Sequence, residues 1–163
     1  VQSLLTPSAG GSPRRTVSGV DAARVNMLLA VLQRRARFAL AQDDCYVATV
    51  GGVRLSEPAS DLAVAVAVAS AKLSAPVPQG MIAVGELGLA GEVRPVPGIG
   101  RRVREAARLG FTRALVPRSP EPLGEVPAGF TVAEVGSIGE ALATIPTWTG
   151  GGPAARPEVG PGR

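Results

Sequence analysis

The sequence predicts a two-layer α/β domain, and three observations carry that prediction. Strand-like and helix-like stretches interleave along the chain, without the regular βαβ rhythm of an open parallel sheet. A run of small apolar residues from Asp61 to Ser70 reads as a buried helix. A glycine-punctuated stretch from Gly85 to Arg102 reads as strand, tight turn and strand, then a loop that opens an amphipathic helix.

Taken in order, Val1 to Leu5 looks like the end of a strand that began further upstream, and Thr6 to Ser12 reads as loop. Ser18, Gly19, Val20 and Asp21 fit a capping box with Asp in place of the usual Glu, which predicts a helix from about Gly19 to Phe38. Arg34, Arg35 and Arg37 crowd the end of that helix, where they suit the negative end of its macrodipole. A strand follows over Cys45 to Val50, ended by Gly51 and Gly52, and Val53 to Ser56 continues as loop or short strand. The Val/Ala alternation after Asp61 suggests a strand. Its length, its alanine content and Pro58 near the first turn argue for helix instead.

Met81 to Val84 is a strand that feeds the hairpin. Pro95 and Pro97 then block further sheet pairing, and Gly98 and Gly100 allow the bend into a helix ending near Gly110. At about 100° per residue, Ile99, Val103, Ala106 and Gly110 share one face of it. Arg101, Arg104 and Arg108 lie opposite, with Arg102 at the border. Arg113 to Pro117 and Phe130 to Val135 are strands, separated by a proline-rich loop. Ser137 to Glu140 is a second capping box, opening a short helix to about Ile145. The domain therefore spans 1–145, and the Gly/Pro-rich stretch 146–163 is expected to be disordered.

A chain of 163 residues is long enough for one well-buried core. Because 45% of the residues are hydrophobic but only 3% aromatic, that core must be built from Val, Leu, Ile and Ala. The net charge of +4 is compatible with a polyanionic partner. There is no histidine and one cysteine, Cys45, which reads as a small buried hydrophobe. Zinc sites, histidine acid–base chemistry, Ser-His-Asp triads and internal disulfides thus lack their parts. The sole lysine, Lys72, sits between Ala71 and Leu73, so no phosphate-binding Gly-Lys-Ser/Thr loop exists in this chain. No signal pattern or apolar stretch of membrane-spanning length is visible, which favours a cytoplasmic protein with no membrane partner.

Three spaced motifs carry a family resemblance. They are Pro13 to Asp21, Gly51 to Ala63, and Gly85 to Val96 with the helix and strand that follow to Pro117. In this order they resemble the C-terminal Lon-protease-like domain of the bacterial RadA (Sms) DNA repair family, over roughly residues 1–145. The resemblance implies the fold of the Lon proteolytic domain and of the second domain of ribosomal protein S5. It implies a homo-oligomer, a hexameric ring, acting with RecA on single-stranded or branched DNA. It also implies a parent protein whose preceding part holds the ATP, Mg and zinc sites of a DNA-dependent ATPase.

Lon proteases use a serine nucleophile and a lysine general base. On that pattern the nucleophile position falls on Ala59, or at a shift of one on Ser60, and the lysine position on Arg102. Alanine has no hydroxyl, and arginine is not deprotonated near neutral pH. Lys72 lies about 18 Å beyond Ser60 along a straight helix. Proteolysis is therefore not expected of this chain. Seven arginines are candidates for DNA contact: Arg14, Arg15, Arg54, Arg101, Arg102, Arg104 and Arg108. Arg14 and Arg15 are expected to be exposed in a loop, and Arg101 and Arg102 stand in a helix first turn, where a phosphate would offset the dipole. The rival expectations are a pure oligomerisation scaffold and a residual peptidase using Ser60.

Overall fold

The computed structural model describes residues 1–10, 12–119 and 121–148. Three strands, β1 (Gln2–Pro7), β2 (Arg15–Ser18) and β3 (Asp43–Ala48), form one sheet in the order β1-β3-β2. β1 pairs antiparallel with β3, from Gln2 opposite Ala48 to Pro7 opposite Asp43, and β2 pairs parallel to it. A second, all-parallel sheet has the order β4 (Met81–Ala83), β7 (Arg113–Pro117), β8 (Thr131–Val135). Between β4 and β7 in sequence lies the hairpin of β5 (Glu86–Leu87) and β6 (Val93–Arg94). The chain is a mixed α/β domain with helices layered on sheets.

The helices are α1 (Ala22–Arg35), α2 (Asp61–Leu73), α3 (Ile99–Arg108) and α4 (Ile138–Trp148). α2 touches β1, α1, α4, β4 and β5, and it is apolar all round, as a central helix must be. The Val/Ala alternation distributes small side chains over every face, and Leu62, Val64, Ala65, Val66, Val68 and Ala69 are all buried. Its entry is a 3₁₀ turn over Pro58–Ser60 with proline at the first position. The main core gathers residues of α1, α2, α4 and β3, and a smaller one lies between α3 and the parallel sheet.

Several boundaries differ from the sequence reading, each for a local reason. The first helix starts at Ala22, because Ser18 is held in β2 opposite Ala48 and Gly19 turns the chain at φ 75. Asp21 is the cap instead, its Oδ1 accepting from the Arg24 N–H at 2.7 Å. The helix stops at Arg35, since Ala36 and Phe38 both donate to the Leu32 carbonyl and Arg37 takes a left-handed conformation. β1 extends to Pro7, into the stretch read as loop, by pairing with Asp43 and Asp44. β3 ends at Ala48, two residues before the expected Val50, because Thr49 turns to bond the Val53 carbonyl. α4 continues through Pro146 to Trp148, so the helix crosses the boundary read at 145. The remainder of the stretch expected to be disordered, 149–163, lies outside the described residues.

The second capping box forms in part. The Glu140 N–H donates to Ser137 Oγ at 3.2 Å, while the Glu140 carboxylate accepts from the Gly136 N–H at 2.9 Å. The Gly136 N–H and the neighbouring Arg118 hold that carboxyl below its usual range.

Candidate nucleic-acid interface

α3 is aimed by two glycines. Gly98 precedes it at φ 73, a left-handed turn suited to glycine, and Gly100 approaches the Leu123 carbonyl so closely that a Cβ would collide with it. Ile99 and Val103 then pack with Ala114 and Val116 of β7, and Ala106 is buried on the same side, which fixes the opposite face outward. Arg101, Arg104 and Arg108 are exposed and Arg102 is half-buried at the border.

That border position faces the 3₁₀ turn ahead of α2. The Arg102 guanidinium pairs with Glu57 Oε2 at 2.6 Å and donates to the Pro97 carbonyl at 3.3 Å. Ala59 is buried, with its carbonyl accepting from the Gly85 N–H at 2.9 Å. The Ser60 hydroxyl donates to the Glu57 carbonyl at 2.8 Å, a bond within its own turn. Ala59, Ser60, Arg54, Arg101 and Arg102 line one open cleft of about 1070 Å³ between α2, β4 and α3. Its walls are apolar, including Val66, Met81, Ile82, Leu109 and Phe111, and its rim is charged. Lys72 is elsewhere, its Nζ held by Asp43 Oδ2 at 2.5 Å.

The seven candidate arginines do not form one surface. Arg54, Arg101 and Arg102 meet at the cleft. Arg104 is exposed and its guanidinium lies over Gly100 and Gly124. Arg108 is paired with Glu105 one turn back, at 2.7 Å, which raises the arginine's pKa and lowers that of the glutamate. Arg14 is exposed and its backbone N–H, bonded to Asp44 Oδ1 at 2.8 Å, holds the Asp44 carboxyl down.

Arg15 departs from the expectation of exposure. It is half-buried in β2, and its guanidinium donates to the carbonyls of Asp43 and Leu40, the latter at 3.1 Å. A side chain satisfied by backbone carbonyls 25 and 28 residues away gives no local sequence signal. Beyond the Gly19 turn that follows this strand, Val20 forms an isolated bridge with Leu55, next to Arg54. Neither Arg14 nor Arg15 is among the residues that line the cleft.

Sequence reasoning missed the ion pair beside the cleft. Arg24 of α1 donates to both oxygens of Asp61, at 2.5 and 2.6 Å, and Asp61 also accepts the Leu87 N–H at 3.0 Å. Asp61 is the one charged residue classed as fully buried among those described. The hydrogen bond to Asp61 raises the Arg24 pKa further. The available signal was a lone carboxylate heading an apolar helix, but its partner lies 37 residues away. Cys45 is buried, and burial pushes its thiol pKa up, the opposite of what a nucleophile needs. Among the described residues no acidic, histidine or cysteine group could hold a metal, and no helix is long and apolar enough to cross a membrane.

Residues 30–120 match the protein family described as subunit ChlI of Mg-chelatase. The chain is 52% identical over 142 residues to the DNA repair protein RadA of Mycobacterium tuberculosis (strain ATCC 25618 / H37Rv), covering 87% of this chain and 29% of that protein. It is 50% identical over 145 residues to RadA of Mycolicibacterium smegmatis, covering 89% of this chain and 30% of the relative. RadA of Streptococcus pyogenes serotype M6 is 43% identical over 145 residues, covering 89% and 32%. The chain thus spans about three tenths of the length of the curated relatives it matches.

Proposed function

The chain belongs to the ChlI-subunit family and corresponds to a segment of RadA-type proteins, and from that premise we propose that it is a non-proteolytic domain that offers a DNA-binding surface in a DNA repair protein. The carrying observation is the arginine rim of the cleft. Arg54 and Arg101 have no carboxylate within ion-pairing distance among the described residues, although both line a cleft that also holds the paired Arg102. An unpaired guanidinium such as Arg101 in the first turn of α3 is suited to phosphate, which accepts bidentate donors and opposes the positive end of the dipole.

Peptide hydrolysis has no machinery in the same cleft. Ala59 carries no hydroxyl, Arg102 holds its proton near neutral pH, and the Ser60 hydroxyl bonds a carbonyl within its turn. The wider role we infer follows the resemblance. The domain sits in a cytoplasmic homo-oligomeric ring, with ATP hydrolysis in another part of the protein, and acts on branched DNA with RecA. A pure oligomerisation scaffold is the second reading, favoured by β1, an edge strand with Leu4 58% exposed.

Titrating the chain with single-stranded and forked DNA across a salt series tests the proposal. Affinity should fall steeply with salt, by roughly 0.7 to 0.9 log units per log unit for each phosphate neutralised. Salt-insensitive or absent binding favours the scaffold. Peptide turnover that vanishes in Ser60→Ala would restore the peptidase.

A further inference from the structure

We propose that the C-terminal end of α1 is a second phosphate-contacting patch, in which Arg34, Arg35 and Arg37, bordered by Leu89 of the hairpin turn, grip a nucleic-acid backbone. The inference rests on the nucleic-acid reading above, but its residues lie on another surface. Arg24, at the start of α1, pairs with Asp61 beside the cleft, and Arg34 lies ten residues further along the helix, roughly 15 Å away.

All three arginines are exposed, and none has an ion-pair partner among the described residues. Glu92, next in sequence to the Gly91 that packs on Arg35, is already engaged by Arg94. The patch is partly ordered in advance. The hairpin turn packs on the stem of Arg35, with the Cβ position of Gly91 only 3.0 Å from the Arg35 Cβ, and Arg35 Nε donates to the Leu89 carbonyl at 3.3 Å. The terminal nitrogens of Arg35 are left for an outside acceptor. Leu89 is 69% exposed beside them, placed to meet a sugar or base.

The macrodipole accounts for arginines at 34 and 35 without any ligand. It does not account for Arg37. That residue has φ 59, in the left-handed conformation that closes the helix, where glycine is the unstrained choice. Elsewhere this chain meets positive φ with glycine at nine described positions, and apart from Arg37 only Ser74 is an exception. Arg37 thus puts an exposed cation at a position where the backbone favours glycine, beside Arg34 and Arg35 of the helix end.

The test uses the full 163-residue chain and a labelled oligothymidylate, with anisotropy followed against salt. Arg34→Gln/Arg35→Gln should lower the log–log slope by roughly one to two units. Arg37→Gly should lower it by roughly 0.7 while raising the melting temperature by about a few degrees, since the strain is relieved. A wild-type protein that binds with a salt-dependent slope, and variants that keep that slope, would overturn the patch and leave the cleft-rim reading standing. Absence of salt-dependent binding by the wild type would overturn both. A fall in melting temperature for Arg37→Gly would remove the strain argument and with it the assignment of Arg37.

Discussion

Two arginine–carboxylate pairs of similar length flank Ala59, and they differ most in burial. Arg24 meets Asp61 at 2.5 Å and Arg102 meets Glu57 at 2.6 Å. Asp61 is 1% exposed and also holds the Leu87 N–H, so it joins α1, α2 and the hairpin. Glu57 is 65% exposed and joins only a turn to the border of α3. The same chemistry thus serves as an internal brace in one place and as a removable surface contact in the other. A buried ion that loses its partner is left without solvent, whereas an exposed one is rehydrated.

The brace should give the largest effect. Arg24→Met strands the Asp61 carboxylate in the core and is expected to cost about 3–5 kcal/mol in urea unfolding. A cost near zero would mean that Asp61 is rehydrated, and that the two pairs are alike after all. The surface pair sharpens the contrast. Glu57→Gln should change stability by less than about 1 kcal/mol. It should tighten DNA binding, because Arg102 is released and a negative charge leaves the rim. Weaker binding in that variant would mean that Glu57 positions Arg102 for its ligand.

The smallest effect concerns the cap of α4. The Glu140 carboxyl is held down by the Gly136 N–H, so its stabilising contribution is full above the ordinary glutamate range. It is lost as pH falls through the lowered folded-state value. Melting curves of the wild type should therefore lose part of their stability in acid that Glu140→Gln never had, and the two curves should converge at low pH. Parallel curves across the acid range would mean that the ionised Glu140 cap adds nothing to stability.

Most of the architecture could be read from periodicity. The hairpin, α3 and its arginine face, the strand Arg113–Pro117 and the buried α2 followed from patterns confined to about ten residues each. Ends of elements were harder, because they are decided by competition between neighbours. Ser18 could cap a helix but pairs in β2 instead, and Asp21 takes the cap. Candidate site residues were legible only as types. That Arg101, Arg102 and Arg54 share a cleft with Ala59 and Ser60, while Arg15 turns inward to backbone carbonyls, depends on contacts across the fold. The Arg24–Asp61 pair was invisible for the same reason.

If the rim arginines serve binding and the buried pair serves the fold, the two roles separate in one experiment. One comparison tests this most directly: the salt dependence of DNA binding by the wild type and by Arg101→Gln/Arg102→Gln, with melting temperatures measured on the same samples. The double variant should melt close to the wild type, because Arg101 is exposed and Arg102 is only half-buried. Its log–log slope should fall by roughly one to two units, alike for all DNA sequences. An unchanged slope in a folded double variant would contradict the binding role, and would leave these arginines as solvated surface on a scaffold.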